Sequence, residues 1–232
     1  LLVTAALVDG GDEVLVGDTS YPCNRQFLSS FGAQVKLVAT DAASRFQLDA
    51  ASVRANWSDQ TQGLMIATPS NPTGTSVPLD ELRAICDWAR EHGAWRIVDE
   101  IYLNLGDRDA EGHAPQTVLS VDDDAIVINS FSKYFGMTGW RLGWAVVPEA
   151  LVPTMERLAQ NYYICASSLS QQAALACFTP ESLAVCEERR QEFARRRALV
   201  LDGLAGIGLP VPVPPDGAFY VYFDVSGTGL TA

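Results

Sequence analysis

The sequence has 232 residues, of which 48% are apolar and 19% are charged. A chain of this size and composition can bury one large core, or one core with a smaller satellite domain, and differs from an intrinsically disordered protein. Acidic residues outnumber basic residues by 28 to 16, and the formal charge of −12 disfavours nucleic acids and anionic membranes as main partners.

The first two thirds of the chain alternate between short apolar runs and amphipathic stretches. The pattern predicts helices over residues 22–32 and 78–92, each followed or closed by glycine. It predicts strands over residues 13–16, 35–38, 64–67, 96–98, 125–129 and 142–147. Near-continuous apolar strands separated by helices are typical of a mainly parallel sheet covered on both faces, so we predict an α/β fold.

The last third of the chain has a different pattern, dominated by long amphipathic stretches. We predict one helix over residues 150–177, bent near Pro153, and a second helix over residues 181–204. Alternation of apolar and polar residues over 218–224 predicts a further strand. The change of pattern predicts a domain boundary somewhere within residues 150–185.

The ends, cysteines and histidines of the chain give weaker indications. The chain begins at Leu1 within an apolar stretch, and we expect it to be a portion of a longer protein. Its five cysteines are scattered without a C-x-x-C pair, which favours reduced thiols and a cytoplasmic location. His92 and His113 lie in no recognisable motif, so we predict no catalytic Cys–His pair and no metal site. No apolar run approaches the ~20 residues that span a bilayer, and no signal peptide is visible.

Polar residues follow three of the predicted strands, namely Asn71, Asp99 and Ser130. In parallel α/β sheets, ligands bind beyond the carboxyl ends of the strands, so we expect a site near these residues. A carboxylate at the end of an apolar strand is costly without a cationic partner, which favours a functional role for Asp99.

The segment that follows Ser130 carries the strongest chemical signal. Lys133 comes just after the strand end among small hydroxyl residues, and Arg141 lies eight residues later. A partly desolvated lysine amine can act as a nucleophile and as a base. Serine hydroxyls and an arginine fork suit a phosphate dianion.

Residues 130–143 resemble the lysine motif of class I and II aminotransferases, S-x-S-K followed by G-x-x-G-x-R-x-G. Three further segments match the family in the family's order. Residues 18–22 match the segment that supplies an aromatic ring, residues 71–74 match the N-P-T-G loop, and residues 99–102 match the D-x-x-Y motif. With all four at predicted strand ends, the chain resembles the fold type I enzymes that use pyridoxal 5'-phosphate (PLP).

The resemblance implies a role for each matched residue. Lys133 would bind PLP as a Schiff base and, once released, move a proton between the substrate α-carbon and the cofactor carbon C4′. Asp99 would pair with the pyridine nitrogen and keep it protonated, and Tyr21 would stack on the pyridine ring. Asn71 and Tyr102 would hydrogen-bond to the phenolic oxygen of the cofactor.

The phosphate and the wider architecture follow from the same resemblance. Ser130 and Arg141 would hold the phosphate, with help from Ser132. The fold would be a mainly parallel, seven-stranded-type sheet sandwiched by helices, forming a large domain over residues 1–150. Residues 151–232 would supply an interdomain helix and an incomplete smaller α+β domain. The family's glycine-rich phosphate loop and the arginine that binds the substrate α-carboxylate are expected outside these residues.

The expected activity moves an amino group between an L-amino acid and a 2-oxo acid. Related enzymes are usually homodimers with sites at the subunit interface, so we expect a homodimer. Residues 161–168 contain no arginine, which disfavours the way one subgroup of aspartate aminotransferases binds dicarboxylates.

Other functions use the same residues. Lys133 and Asp99 would also serve a PLP-dependent C–S lyase or a cyclopropane-forming synthase, and product analysis with and without a 2-oxo acid separates these reactions from transamination. A PLP-sensing, non-catalytic domain of a transcription regulator is a third interpretation, which an upstream winged-helix segment would indicate. A dinucleotide-binding domain is disfavoured because no G-x-G-x-x-G follows a predicted strand.

Overall fold

The structure is a computed structural model and describes residues 1–229. Six strands form one sheet in the order β2-β1-β3-β4-β5-β6. The strands are β1 Glu13–Gly17, β2 Gln34–Val38, β3 Thr61–Ala67, β4 Trp95–Asp99, β5 Ile126–Ser130 and β6 Gly143–Val146. β1 to β5 are parallel, and β6 pairs antiparallel with β5. All six strands predicted before the last third of the chain are therefore confirmed. The family resemblance implies a seven-stranded sheet, and the described residues supply six of its strands.

Seven α-helices accompany the sheet in the described part of the chain. They are α1 Leu2–Leu7, α2 Pro22–Ser29, α3 Ala50–Asn56, α4 Leu79–Glu91, α5 Val152–Tyr162, α6 Ser168–Leu175 and α7 Pro180–Gly206. The predicted helices at α2, α4 and α7 are confirmed, whereas α1 and α3 were not predicted. Within residues 1–229 no helix is both long and apolar enough to cross a membrane.

The central strands β1, β3 and β4 are buried on both faces, which explains why they are mainly apolar runs, whereas β6 at the edge is exposed. Successive side chains of a strand point to opposite faces and so enter two different cores. One core contains Leu15, Leu64 and Val98 together with side chains of α3 and α4. The other contains Val14 and Ile97 together with side chains of α1, α2 and α5. The helices thus cover both faces and leave the loops at the carboxyl edge of the sheet free to form a site.

The prediction of one helix over residues 150–177 is wrong. α5 ends at Tyr162, and α6 begins at Ser168. Between them Ile164 is left-handed, with φ of 69°, a conformation that a right-handed helix cannot continue. The side chain of Ser167 accepts a hydrogen bond from the Ser170 N–H and caps the new helix. Pro153 lies in the first turn of α5, where proline is tolerated, and so does not bend the helix.

The prediction of a strand over residues 218–224 is also wrong. Ala218 is buried and left-handed, with φ of 56°, so the backbone departs from the extended conformation at the start of the segment. The residues before it bond to a loop rather than to a strand, since the N–H groups of Asp216 and Gly217 both donate to the Gly74 carbonyl. This C-terminal segment therefore packs across the carboxyl edge of the sheet.

Candidate functional site

A cavity of about 580 Å³ lies at the carboxyl edge of the sheet. Its wall is formed by residues at or near the carboxyl ends of β1, β3, β4 and β5, by the start of β6 and by the C-terminal segment. All eight residues predicted from the sequence line it: Tyr21, Asn71, Asp99, Tyr102, Ser130, Ser132, Lys133 and Arg141. Residues that are as far apart in the chain as Tyr21 and Arg141 thus converge on one space.

Asp99 is the last residue of β4, and its side chain faces the cavity. Oδ1 accepts a hydrogen bond from the Ile101 N–H at 3.0 Å. Burial raises the pKa of Asp99 to about 6, while that hydrogen bond and the charge of Lys133 act in the opposite direction. A carboxylate held this way gains stability from any cation that enters the cavity.

Glu100 explains how the turn after β4 keeps its shape. Its buried carboxylate accepts hydrogen bonds from the Val118 N–H at 2.7 Å and the Thr117 hydroxyl at 2.8 Å. These bonds tie the turn after β4, two residues before Tyr102 in the chain, to the segment that precedes β5. In the sequence Glu100 is an unassigned position of the D-x-x-Y motif, because its partners Thr117 and Val118 lie in a loop with no motif of its own.

Lys133 lies in the turn after β5, and its amine is surrounded by aromatic rings. Nζ is 5.5 Å from the centroid of the Tyr102 ring and 5.7 Å from that of the Phe219 ring. Both contacts are cation–π interactions of the kind that hold an ammonium group without a carboxylate partner. These contacts place the amine at the cavity wall, beside Tyr102 and Phe219.

Hydroxyl groups and a guanidinium gather in the loop between β5 and β6. The Ser130 and Ser132 hydroxyls lie 2.9 Å apart, and the Ser132 N–H donates to the Ser130 Oγ at 2.9 Å. Thr138 donates from its hydroxyl to the Ser132 carbonyl at 2.7 Å. Arg141 is exposed and left-handed, with φ of 51°, and its Nη1 donates to the Thr138 carbonyl at 2.9 Å. This donor set has the chemistry of an anion-binding loop.

Asn71 and Tyr102 offer neutral polar groups to the same cavity. Among the described residues, the Asn71 side chain makes no hydrogen bond, so its amide is available to a ligand oxygen. The Tyr102 hydroxyl lies 2.7 Å from the Tyr220 hydroxyl. Burial, followed by this hydrogen bond, raises the pKa of Tyr102 well above its ordinary value, so the phenol is neutral and can donate.

Tyr21 stands at the mouth of the cavity with 41% of its surface exposed. A hydrogen bond with Cys23 is the main cause that raises the pKa of Tyr21. The ring therefore offers a neutral aromatic face at the rim, where a planar ligand would cover it.

Eight of the residues that line the cavity were not predicted from the sequence, and Phe27, Thr138 and Tyr220 are the ones with an aromatic ring or a hydroxyl group. Thr138 lies within the lysine motif, and its hydroxyl was a signal that could have been used. Phe27 lies in α2 and has no polar group, so nothing in the sequence indicated that it would line a site. Tyr220 lies 118 residues beyond Tyr102, and no spacing rule connects the two.

Solved structures share this architecture. An aminotransferase from Mycobacterium tuberculosis has a TM-score of 0.90 at 42% identity, covering 97% of this chain and 58% of that chain. An aspartate aminotransferase from Thermus thermophilus with maleate has a TM-score of 0.91 at 31% identity, covering 97% of this chain and 59% of that chain. The fold is therefore the aspartate-aminotransferase-like fold type I.

The sequence comparisons specify the family. Residues 1–231 match the family described as aminotransferase class I and II. A valine–pyruvate aminotransferase of Mycobacterium tuberculosis is 42% identical over 228 residues, covering 97% of this chain and 58% of that protein. An arginine–pyruvate transaminase of Pseudomonas aeruginosa is 34% identical over 231 residues, covering 99% of this chain and 58% of that protein. The chain belongs to the class I and II aminotransferases, whose members are generally PLP-dependent, and it spans somewhat more than half the length of these relatives.

Proposed function

We propose that the full-length protein is a PLP-dependent aminotransferase that moves an amino group between an L-amino acid and a 2-oxo acid. The observation that carries the proposal is the convergence of Lys133, Asp99 and the hydroxyl and guanidinium donors on one cavity at the carboxyl edge of the sheet. The two pyruvate-dependent relatives support pyruvate as the acceptor. The absence of arginine from residues 161–168 supports a donor other than a dicarboxylate.

The groups that line the cavity fit PLP. A phosphate dianion needs hydroxyl and guanidinium donors, which Ser130, Ser132 and Arg141 supply. A protonated pyridine nitrogen needs a carboxylate, and the raised pKa of Asp99 marks a carboxyl that lacks sufficient positive charge nearby. An aldehyde needs an amine, and Lys133 is one of only two lysines in these 232 residues.

The remaining cavity residues would orient the cofactor. Asn71 and Tyr102 would donate hydrogen bonds to its phenolic oxygen. The Asn71 amide has no other partner in residues 1–229, and the Tyr102 side chain is a neutral phenol. Tyr21 would cover one face of its ring at the cavity mouth. Together these contacts would fix the ring relative to the Lys133 amine.

When bound, PLP supplies an electron-withdrawing ring that stabilises negative charge at the substrate α-carbon. Lys133 would hold the cofactor covalently and, when released, would take a proton from that carbon and return one to the cofactor carbon C4′. The Asp99 carboxylate would accept a hydrogen bond from the ring N–H and so keep that nitrogen protonated. The rings of Tyr102 and Phe219 would limit the directions from which the Lys133 amine can approach.

We further propose a cytoplasmic homodimer with a large domain over residues 1–150 and a smaller one over residues 151–232. Five free cysteines support a reducing compartment. Large apolar side chains exposed at Tyr162, Tyr163 and Ile164 support a contact with a second copy.

The test of the proposed function uses full-length protein loaded with PLP. We expect a visible absorbance band that borohydride reduces irreversibly, with the added mass mapped to the peptide containing Lys133. The Lys133→Ala variant should lose the fixed mass, whereas Lys36→Ala, which changes the other lysine of this region, should keep it. Absence of any cofactor band from folded full-length protein would contradict the proposal.

Product analysis separates transamination from the other PLP reactions. We expect L-amino acids such as valine to yield more than one equivalent of 2-oxo acid per enzyme only when pyruvate is present, with one alanine formed for each further donor consumed. Product release from a sulfur-containing amino acid without any 2-oxo acid would instead support a C–S lyase.

A further inference from the structure

Two tyrosine hydroxyls form a pair at the wall of the cavity. The Tyr102 and Tyr220 hydroxyl oxygens lie 2.7 Å apart, and their rings meet edge to face with centroids 5.6 Å apart. Tyr102 is buried and Tyr220 is half-buried, and both line the cavity. Either hydroxyl can be the donor, but each has only one proton to give.

We propose that Tyr220 is a positioning residue that orients the Tyr102 hydroxyl as a hydrogen-bond donor to the phenolic oxygen of bound PLP. The inference rests on the proposed function. When Tyr220 donates its proton to the Tyr102 oxygen, the Tyr102 proton is left to be donated to another acceptor in the cavity. Hydrogen bonds in such a chain polarise one another, so Tyr102 also becomes the stronger donor.

The backbone that carries Tyr220 is held in place from two sides. The N–H groups of Asp216 and Gly217 donate to the Gly74 carbonyl at 3.0 Å each. The Asp216 carboxylate pairs with Arg45 at 2.7 Å, which ties the segment to a distant loop. These bonds hold the start of the segment, and the contacts of the Tyr220 ring and hydroxyl with Tyr102 hold the side chain before a ligand binds, as positioning requires.

The same segment also packs against the loop that contains Asn71. Gly74 closes the loop that begins at Ser70, and a side chain at Gly74 would collide with Pro215. Residues 215–220 thus contact Tyr102 directly and pack against the end of the loop that carries Asn71. The left-handed Ala218 changes the course of the chain just before Phe219 and Tyr220, which both contact Tyr102.

The surroundings of Tyr102 leave Tyr220 as its direct hydroxyl partner. The titratable groups that face Tyr102 are Tyr220, Asp99, Tyr21 and Lys133. Lys133 lies over the face of the ring rather than at the hydroxyl, and within residues 1–229 only Tyr220 is hydrogen-bonded to that hydroxyl. Removing the Tyr220 hydroxyl should therefore change the orientation of one donor and leave the charges of the site in place.

The test compares Tyr220→Phe, Tyr102→Phe and the double variant in full-length, PLP-loaded protein without substrate. The readout is the pH midpoint of the visible absorbance change of the bound cofactor. A hydrogen-bond donor to the phenolic oxygen stabilises the deprotonated form of the bound cofactor. Loss of the donor therefore raises the pH midpoint of the absorbance change. We expect the midpoint to rise by about 0.5 pH units in Tyr220→Phe and by more in Tyr102→Phe. The double variant should have the same midpoint as Tyr102→Phe alone.

The control is Tyr222→Phe, which removes a hydroxyl two residues away on a ring that packs edge to face on Phe46 and does not line the cavity. Its midpoint should equal that of the parent. Melting temperatures report packing separately, and Tyr220→Phe should stay within about 4 °C of the parent because only one oxygen is lost.

Each outcome has one meaning. An unchanged midpoint in Tyr220→Phe overturns the positioning role while the parent spectrum still supports PLP binding. Additive shifts in the double variant overturn it too, because Tyr220 would then act independently of Tyr102. A parent protein with no cofactor absorbance overturns the proposed function, and this inference with it.

Discussion

Asp99 shows how one residue can be unfavourable for folding and suited to a site. The carboxyl is placed at the end of an apolar strand, where burial raises its pKa from 3.8 to about 6. The folded protein thus binds a proton at this group more tightly than the unfolded chain does. Stability is therefore lost as the pH rises from about 4 to about 6, and the full penalty remains at neutral pH.

We expect Asp99→Asn to stabilise the cofactor-free full-length protein at pH 7. The amide oxygen can still accept from the Ile101 N–H, and the buried charge is removed. The gain in the free energy of unfolding should reach up to about 3 kcal/mol at pH 7 and should vanish below about pH 4. Urea unfolding at several pH values measures it. The exposed Asp59→Asn is the control, and an Asp99→Asn variant that is less stable than the parent at pH 7 would show this interpretation of Asp99 to be wrong.

The predicted cavity residues all belong to motifs and lie near strand ends that a mainly parallel sheet brings to one edge, although Thr138 of the lysine motif was missed. Contacts between segments that are far apart in the chain were not predicted. The Tyr102–Tyr220 pair and the Glu100 bonds to Thr117 and Val118 depend on loop conformations that no periodicity encodes.

At the scale of helices and strands, two glycines illustrate opposite requirements. Gly63 is buried in β3, and a side chain there would overlap the ring of Trp95 on β4. Gly203 is exposed in α7 with nothing near the position of its missing side chain. The first glycine is thus required by packing between strands, and the second only weakens a helix.

We expect Gly63→Ala and Gly203→Ala to change stability in opposite directions. Gly63→Ala should lower the free energy of unfolding by about 1–3 kcal/mol, because the Trp95 ring has to move. Gly203→Ala should raise it by about 0.5–1 kcal/mol, because alanine favours the helix. Chemical denaturation of the two variants beside the parent measures both. A neutral Gly63→Ala would mean that the Trp95 ring moves without strain.

The successes and failures of the element predictions have physical causes. The central strands are buried on both faces and are mainly apolar runs, and the more exposed edge strands β2 and β6 also carry enough apolar residues to be located from the sequence. The break between α5 and α6 depends on a left-handed Ile164, and neither glycine nor proline marks it. α3 was missed because it is short, although its capping box of Asp49 and Ser52 was readable in the sequence.

At the scale of the whole molecule, the chain places an apolar region on its surface. Ile164 is 80% exposed and follows two exposed tyrosines, Tyr162 and Tyr163. Exposed groups of this kind are typical of contact surfaces between proteins. The surface lies just beyond α5, in the part of the chain that departs from the predicted long helix.

We expect Ile164→Asp to weaken the proposed homodimer of the full-length protein. A buried, unpaired carboxylate at an interface is costly, so the apparent dissociation constant should rise at least about tenfold. Light scattering over a dilution series measures the mass. Leu37→Asp on β2, at the other end of the sheet, should leave the mass unchanged. A monomeric parent, or a variant dimer as tight as the parent dimer, would argue against this contact.

The placement of most cavity residues at or beyond the strand ends has a consequence for laboratory evolution. The two cores lie beneath the loops on the faces of the sheet, and the cavity-lining side chains contribute little to them. Libraries that diversify positions such as Phe27 and Thr138 should therefore yield many folded clones. Selection for a new amino donor could then proceed without first restoring a damaged scaffold.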